Sequence, residues 1–248
     1  PASKYAWLLQ NERTIAELAE KEELCLGTID SFLVFRLTGG NFYTDVSNAS
    51  RTQLFDIEKT AYSEELCHIF GIPMNALPQV KASDDYYGKT DFEGLLEQPI
   101  PIHGVLGDSH AALLAQDCRR PGTVKATYGT GSSIMMNVGE KVIRSIGGLV
   151  SSVGYQLDGR LNYVLEGNLN YTGAVITWLK KDLGLIVEDS ETEKLAKEAN
   201  PLDETCLIPA FSGLGAPYWR PDAKAAILGM SRTTGRAEIV KAALSSIA

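Results

Sequence analysis

The sequence predicts an α/β protein, and three features carry that reading. Apolar residues at helical spacing fill much of the stretch before residue 117. One apolar run, Ile100–Leu106, reads as a buried strand that stops at Gly107-Asp108. After Pro121-Gly122 the texture changes to alternating strand segments and then to helices. The break at residues 117–122 divides the chain into expected domains at 1–118 and 119–248.

Residues 3–22 read as helical, with Trp7, Leu8, Ile15 and Leu18 as the apolar positions. Thr28 can cap a second helix whose buried face carries Ile29, Phe32, Leu33 and Leu37, and Gly39-Gly40 ends it. Residues 41–57 are expected to form polar loop or short strands. Ser63 starts a helix with Leu66, Ile69 and Phe70, Gly71 stops it, and Pro73 and Pro78 extend the chain. A small-residue helix follows the Ile100–Leu106 strand, from Ser109 to Gln116. Val124–Tyr128 and Ile134–Val138 alternate on either side of Gly129-Thr130-Gly131, which predicts a hairpin. Leu149–Val153 and Leu161–Leu165 make two further strands joined at Asp158-Gly159. A helix from about Asn170 to Leu183 buries Val175, Ile176 and Leu179. Glu188–Ala199 is a charged helix, Leu207–Pro209 a strand and Phe211–Trp219 a loop.

Composition narrows the function. The net charge is −8 with no basic stripe, which argues against a nucleic-acid partner. No apolar run reaches the length of a membrane span, and no signal peptide is visible. The four cysteines form no Cys-x-x-Cys pair and do not cluster with the three histidines. Neither a metal-cysteine site nor a disulfide framework is indicated, and a cytoplasmic compartment is expected. The chain begins at Pro1, and a helical repeat of Ile239, Val240, Ala243, Leu244 and Ile247 runs towards Ala248 without a closing Gly or Pro. Both ends read as cut from a longer protein.

Four places could carry chemistry. Asp108 follows a strand and a glycine, at the sheet edge where ligands of α/β proteins bind. Its carboxylate could accept a proton from a substrate hydroxyl or hold Mg²⁺, or it could cap the helix that starts at Ser109. Gly129-Thr130-Gly131 could bring backbone N–H groups and a hydroxyl to an anion, or could be a turn that needs positive φ. Gly173 could admit a nucleotide or allow helix packing. The Gly213–Trp219 loop could line a cleft or anchor itself to the core. His110 reads as a structural histidine and Lys180-Lys181-Asp182 as a solvated face.

In order, these segments resemble the FGGY carbohydrate kinases, and within them the glycerol kinases. The resemblance runs through Pro1–Asn11, Gly27–Leu33, Ser47–Thr52, Ala76–Val80, Thr127–Gly131, Leu165–Gly167 and Pro209–Trp219. It implies two actin-like (RNase H-like) domains: residues 1–118 as the C-terminal part of the acceptor-binding domain, and 119–248 as the N-terminal part of the ATP-binding domain. The implied reaction is ATP- and Mg²⁺-dependent phosphorylation of a small polyol or sugar hydroxyl, with Asp108 as the general base. Thr130, between Gly129 and Gly131, is expected to contact the terminal phosphates, with Gly173 and Thr177 on the nucleotide side. Ser109 and Ser133 are expected near the acceptor. The full-length protein is expected to be a homo-oligomer, dimer or tetramer.

The chain departs from the glycerol kinase pattern at several positions. Ser109-His110 stands where a Gln pair follows the Asp, and Ser132-Ser133 stands where Cys-Phe follows the Gly-Thr-Gly. The missing aromatic suits a larger, more hydroxylated acceptor, which makes a ketopentose such as xylulose the rival substrate. Thr177 replaces a nucleotide-contacting Gln, and Ser245 stands where the second signature ends in an acid. Asp91–Gln98 has no counterpart of the histidine phosphorylated in some bacterial members. By the resemblance, the first phosphate loop precedes Pro1 and the adenine-binding glycines follow Ala248, so this piece alone is expected to be inactive. A reading of another class is a catalytically inactive actin-fold regulator.

Overall fold

The computed structural model describes residues 1–145 and 147–247; Ala248, where the second expected domain ends, lies outside the described residues. The chain forms two compact units. Pro1–Val124, Met136–Arg144 and Ser151–Leu165 make the first; Lys125–Met135, Ser145–Val150 and the chain from Glu166 onward make the second.

In the first unit, helices α1 (Ala2–Asn11) and α2 (Arg13–Glu20) replace the single helix expected over 3–22. The break is at Glu12, which is extended at φ −111° and ψ 100°. The Asn11 side-chain amide donates back to the Trp7 carbonyl at 2.8 Å and closes the first helix. Helix α3 (Ile29–Thr38) ends on Gly39 in the left-handed region, as expected. Its buried side is not the expected one. Ile29, Phe32 and Leu33 are exposed, while Asp30, Ser31 and Val34 are buried. The helix turns this mixed face inward because it packs on strands β1 (Tyr43–Asp45) and β5 (Gly88–Thr90), where Thr44 donates to Asp30 at 2.7 Å. The Thr28 hydroxyl also donates to Asp30 and so does not cap the helix.

Strand β1 pairs in parallel with β4 (Gln79–Lys81), Tyr43 opposite Gln79. Between them lie the short helix α4 (Val46–Ala49), the hairpin β2 (Phe55–Asp56) and β3 (Ala61–Tyr62), and α5 (Glu64–Phe70). Ser63 caps α5 by accepting from Leu66 N, and Gly71 closes it in the left-handed region. Leu54, Cys67, Ile72 and Leu77 join Ala2, Tyr5 and Leu26 in one core. Leu54 is wholly buried, a contribution of about 2 kcal/mol from its side chain alone. The strand expected over Ile100–Leu106 is shorter and wetter than predicted: β6 covers Ile100–Ile102, and Ile100 is 47% exposed. Among the described residues it pairs only with β5, so its apolar residues lie at an edge instead of in a sheet interior. Helix α6 runs from Asp108 to Ala115.

Strands β7 (Val124–Tyr128), β8 (Ser132–Gly139), β9 (Val150–Leu157) and β10 (Arg160–Leu169) form a sheet in the order β7-β8-β10-β9. The three longer strands pass from one unit into the other along their length. The expected turn at Asp158-Gly159 has both residues at positive φ, 49° and 73°. That is the arrangement a two-residue hairpin loop requires. In the second unit follow α7 (Gly173–Lys181), α8 (Glu191–Glu198), the antiparallel pair β11 (Cys206–Ile208) and β12 (Ala226–Leu228), and α9 (Arg236–Ser245). Val175 and Leu179 of α7 pack with Leu207, Val240 and Ala243 into its core, while Ile176 is only partly buried.

Candidate active site

The first candidate element is the turn into α6. Gly107 is the N-cap and Asp108 the first helical residue, so Asp108 does not cap a helix beginning at Ser109. Its Oδ1 accepts from the Ser109 N–H at 2.6 Å, and the side chain is exposed to solvent. A carboxylate in the first turn is favoured by the helix dipole, and here it is left open to a ligand. Behind it the chain is held tightly. A Cβ on Gly107 would meet His110 Nδ1 at 2.8 Å, and His110 itself is buried. Ser109 is half-buried beside the carboxylate.

The second element is the Gly129-Thr130-Gly131 tip between β7 and β8. Neither glycine has a positive φ, so the turn geometry does not explain them. Their role is close approach. A Cβ on Gly131 would lie 2.6 Å from the Leu169 carbonyl oxygen, and one on Gly173 would lie 2.6 Å from that of Gly129. The tip is thereby pressed onto the start of α7. Gly129 O accepts from Gly173 N at 2.9 Å, and Thr130 O accepts from Thr172 N and Ala174 N, both at 3.0 Å. These donors are the ones a helix leaves unsatisfied at its N-terminus. The carbonyls of the tip are committed to the helix. Among the described residues, the Thr130 and Gly131 N–H groups and the Thr130 hydroxyl donate to no protein acceptor. Donors without a protein partner on an exposed loop form an anion-binding surface.

Thr172 locks this arrangement. It is 1% exposed, accepts from Ser132 Oγ at 2.9 Å and donates to Gly129 O at 3.0 Å. Sequence reasoning passed over Thr172; its one signal was a Thr immediately before a helix-starting Gly. Gly173 and Thr177 are both exposed on the first turn and a half of α7, and Thr177 Oγ1 leans back to Gly173 O at 3.4 Å. Ser133 Oγ donates to Oε1 of Glu166 at 3.1 Å, and Glu166 is 4% exposed. Within the second unit, Gly129, Thr130, Gly131 and Gly173 are thus brought together, and Ser133 lies on a separate polar pair.

The Phe211–Trp219 loop is anchored. The Phe211 ring centroid lies 4.9 Å from those of both Tyr171 and Trp178, and Trp219 Nε1 donates to Gly148 O at 2.6 Å. Lys180 pairs with Glu188 and Asp189 at 3.4 Å each, as a solvated face would. Among the described residues no group of three or more His, Cys, Asp or Glu side chains could hold a metal ion. No described helix is long and apolar enough to cross a membrane.

Comparison with known proteins places these elements in a family. Residues 1–115 match the N-terminal domain model of the FGGY family of carbohydrate kinases, and residues 124–248 match its C-terminal domain model. The chain is 49% identical over 248 residues to glycerol kinase 1 of Thermotoga maritima, covering 100% of this chain and 50% of that protein. It is 45% identical over 247 residues to the glycerol kinase of Xanthobacter autotrophicus, covering 99% of this chain and 50% of the relative. The crystal structure of Plasmodium falciparum glycerol kinase with ADP superposes with a TM-score of 0.88 at 39% identity, over 98% of this chain and 49% of that one. The chain therefore spans about half the length of the relatives it matches. The α/β, actin-like sugar-kinase fold expected from the sequence is the fold of these proteins. Matched along nearly its whole length by the two domain models, the chain belongs to the FGGY family of carbohydrate kinases.

Proposed function

We propose that this chain is part of an ATP-dependent kinase that phosphorylates a hydroxyl of a small polyol, with glycerol as the first acceptor to test. The observation that carries the reading is the tip on α7. Its carbonyls are tied to the helix start, and its Thr130 and Gly131 donors are left for phosphate oxygens. Residues 1–118 form the acceptor side and 119–248 the nucleotide side. Asp108 takes the proton from the acceptor hydroxyl. Thr130, between Gly129 and Gly131, contacts the terminal phosphates, with Gly173 and Thr177 along the nucleotide. Phosphoryl transfer asks mainly for positioning and neutralisation of charge, which a base and a phosphate loop supply.

Mg²⁺ fits this donor set in one way. It typically keeps waters and nucleotide phosphates as ligands and needs only one or two carboxylates. Asp108, exposed and with Oδ2 free of protein donors among the described residues, is the carboxylate that would hold it. A cytoplasmic setting is carried over from the cysteine spacing of the sequence, and fractionation of cells expressing the full-length protein would test it. A dimer or tetramer of the full-length protein rests on the family resemblance, and light scattering would test it.

A second acceptor reading has its own observation. Ser133 presents a hydroxyl paired to a buried Glu166, a polar feature suited to a more hydroxylated acceptor such as xylulose. The deciding experiment is a coupled ADP-release screen of the full-length enzyme over glycerol, xylulose, ribulose and gluconate. Glycerol is expected to give the highest kcat/KM. A preference for a ketopentose would replace the acceptor, and no acceptor-dependent ADP release at all would sink the kinase reading in favour of an inactive binding protein.

A further inference from the structure

Asp45 is wholly buried at the end of β1, yet it belongs to no ion pair among the described residues. Its two oxygens accept five hydrogen bonds. Oδ1 takes the Ser47 hydroxyl at 2.8 Å, Asn48 N at 2.9 Å and Asn48 Nδ2 at 2.8 Å. Oδ2 takes Ser47 N at 3.1 Å and the Ser83 hydroxyl at 2.7 Å. Five donors and no acceptor surround the group, so both oxygens serve as acceptors.

One of those donors has a second task. A serine hydroxyl has a single hydrogen, and Ser47 spends it on Asp45. Its lone pairs then face outward, and one accepts the N–H of Gly107 at 3.0 Å. Gly107 is the N-cap of α6, and Asp108 is the next residue. Asp45 therefore reaches the turn before Asp108 through two hydrogen bonds, Gly107 N to Ser47 Oγ and Ser47 Oγ to Asp45 Oδ1. The far side of the same carboxylate is tied to Ser83, whose own N–H donates to Gln156 O at 3.0 Å and whose hydroxyl oxygen accepts from Gln156 N at 3.2 Å. Ser83 O also accepts from Val105 N at 3.0 Å, two residues upstream of Gly107. The segment 105–107 is thus gripped at both ends by residues that converge on one buried carboxylate.

We propose that Asp45 is a positioning residue: through Ser47 and Ser83 it fixes the Val105–Gly107 turn and so aims the Asp108 carboxylate. This rests on the reading of Asp108 as the base. The link needs the orientation of one hydroxyl, and only an acceptor at the Asp45 position supplies it. Without that acceptor, Ser47 is free to turn its hydrogen toward Gly107 N–H and lose the bond. Misplacing a reacting group by about an ångström costs on the order of 100-fold in rate.

The test uses the full-length protein with Ser47→Ala, Asp45→Asn, their double variant and Asp108→Asn. Three quantities are read: kcat with both KM values, hydrogen exchange at the Gly107 amide, and thermal midpoint. Ser47→Ala is close in shape and keeps the other four bonds to Asp45, so it serves where Asp45→Asn fails to fold. The expected result is a kcat about 10- to 100-fold lower in Ser47→Ala and in Asp45→Asn, whose amide sets a donor where one carboxylate oxygen accepts from Ser47 or Ser83, with KM for ATP within about twofold. Gly107 exchange should rise with it, and the double variant should be no worse than the poorer single one, since both act through one link. A Ser47→Ala enzyme with unchanged kcat, beside an inactive Asp108→Asn enzyme, overturns the proposal while leaving Asp108 as the base. A lowered thermal midpoint without loss of kcat also overturns it. Full activity of Asp108→Asn overturns the base assignment itself.

Discussion

A β-carbon on Gly173 would stand 2.6 Å from the carbonyl oxygen of Gly129, so the phosphate-loop candidate and the start of α7 fit only because residue 173 has no side chain. The obstacle is backbone, which cannot rotate out of the way. Gly173→Ala is expected to push the tip off the helix and weaken ADP binding about tenfold or more, roughly 1.4 kcal/mol. The KM for the acceptor should change little. Isothermal titration with ADP on the full-length protein checks this, and unaltered affinity would mean the tip can shift without consequence.

Thr172→Val tests the lock beneath the same tip. The isostere keeps the shape but cannot accept from Ser132 or donate to Gly129 O. Gly129 O keeps its bond from Gly173 N, so the oxygen is not orphaned. The Ser132 hydroxyl loses its buried acceptor. A cost of about 1–2 kcal/mol in urea unfolding is expected. No loss would show that the Ser132 hydroxyl finds another partner.

These two positions also show what the sequence could and could not reveal. The hairpin around Gly129–Gly131, the Ser63 and Gly71 boundaries and the Asp158-Gly159 turn depend on local chemistry, and local chemistry is written in adjacent residues. The glycine roles at 131 and 173 depend on backbone from elsewhere in the chain, so the sequence offered only a choice between a turn, packing and a ligand. The buried face of α3 departs from the apolar pattern for the same reason. Its apolar residues at helical spacing suggested burial, but what packs on the helix is a polar strand position, Thr44, that draws Asp30 inward. Asp45 gave a local signal, an Asp before a short helix, yet its reach to Gly107 spans some sixty residues and has no local trace. The assignment of Asp108 came from the order of the motifs, not from any one of them.

Stability against pH should carry a mark of Asp45. Burial pushes its carboxyl above the ordinary value, opposed by the hydrogen bonds from Asn48, Ser83 and Ser47. A folded-state pKa above the unfolded one means the native protein holds this proton longer. The stability it contributes is then complete below the unfolded pKa and is lost as pH rises through the folded one. Asp45→Asn cannot titrate. The unfolding free energy of the parent minus that of Asp45→Asn should therefore decrease as pH rises above the ordinary carboxyl value of about 4. A difference that instead rises with pH would place the folded carboxyl below its ordinary value, with the five donors outweighing burial.

Asp108→Asn separates chemistry from binding. Asn keeps the size of the side chain and an oxygen that can still accept from the Ser109 N–H, so the turn into α6 should stand. What it lacks is the ability to take a proton. If Asp108 is the base, turnover of the full-length enzyme falls by about 10²- to 10⁴-fold, the usual worth of a general base. ATP affinity should fall far less than turnover, because the terminal phosphates are assigned to the Thr130 tip and Mg²⁺ keeps phosphates and waters as its other ligands. Single-turnover kinetics beside equilibrium ADP binding would resolve the two. A loss of nucleotide affinity as large as the loss of rate would instead make Asp108 chiefly a ligand of the metal–nucleotide complex, since removing a charge from Mg²⁺ weakens binding before any bond is broken.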